Sequence, residues 1–277
     1  MVKHMDDGRT FLYNAEGTAI GGVFRRPFVD VMESQAATSL AVTGGVGSAR
    51  KTNFNFREVV SFTEASTEVM GSRDTDGGTY NSLVSTTIIG LNIADMVTAD
   101  RIVARISTTN SAADTETRVT PVGSEFVGLR VAGQPINPEL DLPLFSELDT
   151  SAKFRERYKQ DKDFREDMRA RFLWGKLEDN APEFLKARYK WQSDPDALPE
   201  SKGIMPCSLV KTLGNLSGGL MVYGNVIVVP DFGTIYFAEY HVKESARRLT
   251  MMRLQLGSPM EADLTVASGQ GNGVLYP

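Results

Sequence analysis

Cysteine is all but missing from this sequence: Cys207 is the only one in 277 residues. That excludes an intramolecular disulfide framework and any multi-cysteine zinc site, and an unmatched thiol of this kind reads as a small core residue rather than a nucleophile. Histidine is nearly as scarce, with His4 and His241 alone. No His-Glu-x-x-His helix and no Gly-x-Ser-x-Gly elbow occur. No apolar run is long enough to cross a bilayer; the longest, Val226 to Val229, ends at Pro230 and reads as a buried strand. An excess of positive charge is also lacking. The formal net charge of −5 argues against a general binder of nucleic acid, which usually rests on a basic surface. The opening MVKHMDDGRT has no apolar core of the kind a signal peptide needs, and its first residues, through His4 or Met5, read as non-native. The compartment is therefore left open: extracellular or cell surface if an export segment was removed, cytoplasmic otherwise.

What is present is the composition of a globular protein, 41% hydrophobic and 23% charged. Residues 10–145 read as strands. Ile102, Ala104 and Ile106 share one face, while Arg101, Val103 and Arg105 share the other, the period-two pattern of a half-buried strand. Thr86 to Ile93 is similar, with Gly90 as a bend, and Ser124 to Val131 is a further strand. Gly90-Leu91-Asn92-Ile93-Ala94 and Gly128-Leu129-Arg130-Val131-Ala132 share a local pattern, read as two similar strands of one sheet. From 151 to 190, twelve Lys or Arg against eight Asp or Glu give a local charge of +4, leaving the rest at −9. Phe154 and Tyr158, and then Phe164, Met168 and Phe172, fall four apart on helix faces. Asp161 is placed as a cap between them and Gly175 as a stop. Asn180-Ala181-Pro182-Glu183 reads as a fresh helix start. Two or three helices ending near Gln192 are expected, followed by a loop over 193–203. Strands return over Leu220–Val229, Thr234–Val242 and Leu249–Leu256, the last with Thr250, Met252, Leu254 and Leu256 on one face. Ser268 to Gly273 reads as a flexible or tightly turned glycine segment.

Strands, then helices, then strands do not make an alternating parallel fold. The expected class is mainly β: an antiparallel β-sandwich-like or β-barrel-like core over 10–145 and 204–277, with a helical insertion and loop over 146–203.

Three motifs invite chemistry. GGVGSARKT, residues 44–52, has the Lys-Thr of a phosphate-binding loop, but Arg50 stands where the final glycine belongs and Asn53 to Arg57 alternate like a strand. It reads as a loop joining strands. Asp74-Thr75-Asp76-Gly77-Gly78 opens like a calcium loop, yet the twelfth position is Ser85, so a hairpin turn is the better reading. Glu239 and His241 point the same way on a strand, and are read as a surface hydrogen-bonded pair. No catalytic residue, metal ligand or cofactor is assigned.

Two stretches carry a family resemblance. IIGLNIADMVTADRIVARIST (88–108), followed by FVGLRVAGQPINP, and NVIVVPDFGTIYFAEYHV (225–242) resemble the β-rich extracellular modules of bacterial choice-of-anchor type proteins. Asp231 departs from that pattern, which has glycine after the proline. The resemblance covers about half the chain. It implies an exported, non-enzymatic surface or structural domain and carries over no catalytic residue.

The leading expectation is a structural or interaction protein that self-associates as a homo-oligomer, or docks a protein partner, through strand edges or the helical insertion. Arg165, Arg169, Phe172, Trp174, Tyr189 and Trp191 are the candidate contact residues, since arginine and aromatics favour interface hot spots. Phe164 is expected to bury against the same partner. A second expectation is a carbohydrate- or small-ligand-binding module using Tyr80, Tyr223 or Tyr236 as exposed aromatics. The third is a hydrolase whose groups, His241 among them, meet only in three dimensions.

Overall fold

The computed structural model describes residues 10–74, 78–111, 113–172, 181–192, 194–200, 202–214, 216 and 219–276. The chain begins with long strands: β1 (Thr10–Arg26), β2 (Asp30–Gln35), β3 (Thr38–Ser39), β4 (Gly45–Phe56), β5 (Val60–Asp74), β6 (Thr79–Ile93) and β7 (Val97–Ser111). Short ones follow: β8 (Arg118–Thr120), β9 (Glu125–Val127), β10 (Arg130–Val131), β11 (Gln134–Pro135) and β12 (Glu139–Leu140). Then come helices α1 (Leu142–Glu147), α2 (Ser151–Gln160), α3 (Lys162–Phe172) and α4 (Glu183–Tyr189), the last continued by a 3-10 turn at Lys190–Gln192. The chain closes with β13 (Met205–Ser208), β14 (Val210–Thr212), β15 (Met221–Tyr223), β16 (Val226–Val229), β17 (Gly233–Lys243), β18 (Ala246–Leu256) and β19 (Glu261–Tyr276).

These strands build two open antiparallel sheets, so the core is a sandwich and not a closed barrel. The first sheet runs β15-β16-β17-β18-β19-β1-β2, with β13 on β17 and β3 on β1. The second runs β11-β10-β7-β6-β5-β4, with β8 and β9 on β7. The first and last strands of the chain are neighbours, paired from Thr10 opposite Tyr276 to Arg26 opposite Glu261. The sheets face each other through β1, β18 and β19 on one side and β5, β6 and β7 on the other.

Turn chemistry explains the recurring Gly-Leu-x-(Ile/Val)-Ala pattern. Ala94-Asp95 and Ala132-Gly133 both take positive φ, 51° and 54° and then 49° and 75°, the dihedrals of hairpin turns whose twist matches the strands; Ile93 pairs with Val97 across three residues, and Val131 with Gln134 across two. The turns are also linked: Ala94 N donates to Val59 O and Ala132 N to Met96 O, each at 2.7 Å. Gly90 and Gly128 mark kinks with φ of 65° and 63°. The pattern is thus a kink, a short strand and a turn, used twice in one sheet.

The segment Ser268–Gly273 is not a loop. It lies inside β19, near the middle of the first sheet. A Cβ on Gly271 would sit 2.8 Å from Thr108 Cγ2, and one on Gly17, opposite Gly269, 2.7 Å from Thr67 Cγ2. The glycines make room for the β-branched side chains of the facing sheet. Hydroxyls then bridge the two layers: Thr86 Oγ1 donates to Ser268 O at 3.2 Å and Thr117 Oγ1 to Gly273 O at 3.1 Å. Thr250 also differs from expectation. The pairing skips Met251 in β18 opposite Ala238 and Ala267, so Met252, Leu254 and Leu256 face the core and Thr250 the other side.

The helical segment grips the first sheet from both faces. Phe145, Phe154, Tyr158, Phe164, Met168 and Trp191 join the main core beside Cys207, Leu209 and Tyr240. From α4, Leu185 and Tyr189 pack on the opposite face, against Tyr223, Val226 and Tyr236. The two clusters meet adjacent residues of β17, Ile235 inside and Tyr236 outside, as strand alternation requires. Asp161 caps α3 by accepting from Phe164 N at 2.9 Å. The buried Glu116 carboxylate receives Ser151 N at 2.7 Å and Ala152 N at 3.0 Å at the start of α2, and Ser245 N at 3.1 Å from the β17–β18 hairpin. A short six-residue helix, α1, precedes the expected helical boundary. The proposed stop at Gly175 and the cap at Asn180 lie outside the described residues.

Candidate functional site

Three surface features result from this arrangement: a buried ion cluster beneath α4, a polar cleft beside it, and a long free strand edge on the other sheet.

The ion cluster centres on Glu239. An irregularity at Ala238, whose φ is 44° and which the pairing with β18 skips, shifts the alternation of β17 and turns Glu239 to the outer face, where α4 covers it and leaves 3% exposed. Its carboxylate accepts from Arg188 Nη2 of α4 at 2.7 Å and from Arg253 Nε of β18 at 2.7 Å. The Arg253 guanidinium lies 3.6 Å from the Tyr236 ring centroid. His241 does not bond Glu239 directly; its Nε2 lies 3.0 Å from Arg188 Nη2. Arginine only donates, so that nitrogen accepts and the neutral ring carries its proton on Nδ1. This corrects the expectation of a surface Glu–His pair: the two are bridged by an arginine and largely covered. Burial alone would raise the Glu239 pKa, but the bonds to Arg253 and the charges of Arg188 and Arg253 outweigh it and hold the carboxyl below its ordinary range. Burial depresses the His241 pKa, and Arg188 adds to the effect against the pull of Glu239. The arrangement is a latch for a seven-residue helix too short to stand alone.

Beside the latch, a cleft of about 290 Å³ opens on the same face. Its lining includes Asn14, His241, Lys243, Arg248, Gln270 and Asn272, with Ile204 at one side and the buried Arg247 beneath. Among the described residues no carboxylate lines it. Arg248 is shared with a neighbouring depression of about 420 Å³ over β1, β2 and β19, which does include Glu33 and Asp263.

The third feature is β4. Eleven of its twelve residues, all but Asn53, pair with β5 and with no other strand among the described residues, so its other edge is open. GGVGSARKT is therefore the start of an edge strand, not a loop, and no helix follows it. Val46 is 75% exposed. Arg50 Nη2 pairs with Glu64 Oε2 at 2.7 Å.

The residues expected to present a docking surface divide. Arg169 is exposed. Arg165 donates from Nη1 to Tyr158 O and Lys159 O, both at 2.8 Å, and so closes the end of α2. Tyr189 and Trp191 are buried within the chain. Phe164 is buried in the same way, because its helix face found the sandwich. The Phe172 side chain and Trp174 lie outside the described residues. Tyr80, Tyr223 and Tyr236 are not exposed aromatics either: Tyr80 stacks on Phe11 at 4.3 Å, and the other two lie under α4. Asp74 and Gly78 bracket the β5–β6 hairpin, joined by Gly78 N to Asp74 O at 3.1 Å; residues 75–77 lie outside the description. Burial pushes the Cys207 thiol pKa up, away from thiolate reactivity. Among the described residues no helix is long and apolar enough to cross a membrane. Period two in β17 brought out Glu239 and His241, but Arg188, Arg253 and the rest of the cleft lining had no signal in sequence, because they come from elements far apart in the chain.

No curated protein and no solved structure matches this chain. A family model, Domain of unknown function (DUF8256), matches residues 11–243, which takes in β1 to β17 with the helical segment between them. The chain belongs to the DUF8256 family.

Proposed function

We propose that this protein is a non-enzymatic structural module that self-associates by pairing β4 with β4 of a second copy. The observation that carries the reading is the open twelve-residue edge of β4, a form of surface that natural proteins normally shorten, cover or charge. An antiparallel pairing about Ser48 sets Gly45 opposite Lys51 and Val46 opposite Arg50. No like charges then face each other, and each Arg50 stem lies beside an exposed valine. Such an interface is isologous and closes as a twofold dimer. The resemblance to anchored surface modules supports placing this dimer at a bacterial surface.

Sedimentation equilibrium tests the register. Val46→Arg puts arginine opposite Arg50 twice in the dimer. Opposed like charges at about 0.2–1 kcal/mol per pair weaken the dimer by about tenfold. Val46→Glu creates two cross-strand ion pairs and strengthens it. The exposure of Val46 leaves the fold of both variants intact. A wild-type chain monomeric at every concentration, or two variants that behave alike, overturns the proposal.

A further inference from the structure

We infer that the cleft over β1, β17, β18 and β19 binds a carboxylate-bearing saccharide unit, with the carboxylate on Arg248 and the sugar hydroxyls on Gln270, Asn272 and Asn14. This site is independent of the β4 edge and goes beyond a purely structural role.

The argument starts from strand register. His241, Arg248 and Gln270 are successive cross-strand partners on β17, β18 and β19. Asn272 pairs with Asn14 on β1, two residues further along. Strands lie about 4.8 Å apart and residues two apart on a strand about 6.7 Å apart. The row and its neighbour therefore cover a patch roughly 10 Å by 7 Å, the footprint of a saccharide unit rather than of a macromolecule. The volume of about 290 Å³ lies near the lower end of small-ligand clefts.

The chemistry is donor-rich. Among the described residues the Arg248 guanidinium and the Lys243 ammonium meet no carboxylate, and the side-chain amides of Asn14, Gln270 and Asn272 make no hydrogen bond. Arg248 differs in this from Arg25, Arg50, Arg57 and Arg101, which are all paired with carboxylates on the strands. His241 is held by Arg188 on one nitrogen and keeps a proton on the other. Six donor groups and no carboxylate in the lining favour an anion. A planar guanidinium takes a carboxylate through two parallel bonds, which fixes orientation as well as charge. Glu16, opposite Gln270 on β1, stands outside the cleft lining and sets the anion-binding end of the row at Arg248. The lining is thus polar from end to end: a cation for the carboxylate at Arg248 and amides for the hydroxyls. A simple inorganic anion uses only the first part.

Titration calorimetry on the full chain tests this with D-glucuronate and N-acetylneuraminate as probes, D-glucose as the neutral control and sulfate as the plain anion. The expected result is saturable binding of at least one acidic sugar, tighter than glucose and sulfate. Arg248→Gln weakens it about tenfold or more, and Gln270→Ala weakens the acidic sugar while leaving any sulfate binding unchanged. Both side chains face solvent, and thermal melts confirm that the variants stay folded. No saturable heat with either acidic sugar overturns the inference. So does glucose binding as tightly, sulfate binding as tightly, or an Arg248→Gln variant that binds unchanged.

Discussion

Replacing Glu239 by alanine is expected to destabilise the protein by about 3–5 kcal/mol, the usual consequence of leaving buried charges without their partner. Arg188 and Arg253 would face each other across the vacated position, each with part of its guanidinium covered. The loss falls first on α4, whose seven residues are held by Leu185, Tyr189 and this pair of ion contacts. Urea denaturation gives the magnitude, and hydrogen exchange shows whether α4 opens before the sandwich.

The same cluster makes stability depend on pH. Glu239 has a folded pKa below its unfolded value of about 4.3. Its contribution is complete above that value and is lost as pH falls through the folded value. His241 also has a depressed pKa, so the unfolded chain binds a proton first, from about pH 6.5 downward. In both cases the unfolded state holds more protons, and stability rises with pH. Urea midpoints should fall from pH 7 to pH 5.5 through His241 and further towards pH 4 as Glu239 joins. Glu239→Gln should shrink the lower part and keep the upper, leaving the share of Asp30 and Asp161, which the bonds from Arg57 and from Phe164 N also hold low. A midpoint constant between pH 7 and pH 4 contradicts this reading of the cluster.

Replacing Trp191 by alanine is expected to cost about 3–5 kcal/mol as well. The indole is 3% exposed. It packs on Tyr158 at 5.3 Å and Phe154 at 5.9 Å between ring centroids, and its Nε1 donates to Pro206 O at 3.1 Å on β13. The change therefore removes core volume and a bond that ties the insertion to the first sheet. For a chain of this length the melting temperature should fall by roughly 2–4 °C per kcal/mol. A tryptophan kept for a partner would leave the melting temperature alone and alter only association. Thermal melts and sedimentation of the variant separate the two roles.

How far the sequence could be read depended on whether the signal was local. The alternation of Ile102, Ala104 and Ile106 marks β7 because one face of that strand is buried along its whole length. The four-residue spacing of Phe154 with Tyr158, and of Phe164 with Met168, marks the buried sides of α2 and α3 for the same reason. Neither pattern says what the buried side will meet. The aromatics pointed equally to a partner or to the chain's own core, and the answer lay with Tyr240 and Cys207, many residues downstream. In β19 the local signal pointed the wrong way. Gly269, Gly271 and Gly273 read as turn residues because glycine is permissive, yet they are there for want of a side chain opposite Val84, Thr108 and Phe11. Helix α1 was too short to show a period, although Asp141 accepts from Leu144 N as its cap. Arg188 and Glu239 lie on different elements, and no spacing rule connects them. The same holds for Arg248 and Asn14, which only the pairing of β1, β18 and β19 brings onto one face.

Both proposed surfaces depend on a shared core in which the two strand regions and the helical segment are one cooperative body, so that only edges and outer faces remain for binding. Scanning calorimetry of the intact chain tests this most directly. A single transition with calorimetric and van't Hoff enthalpies in agreement is the expected result. Two separable transitions, one of them belonging to the helical segment, would contradict it.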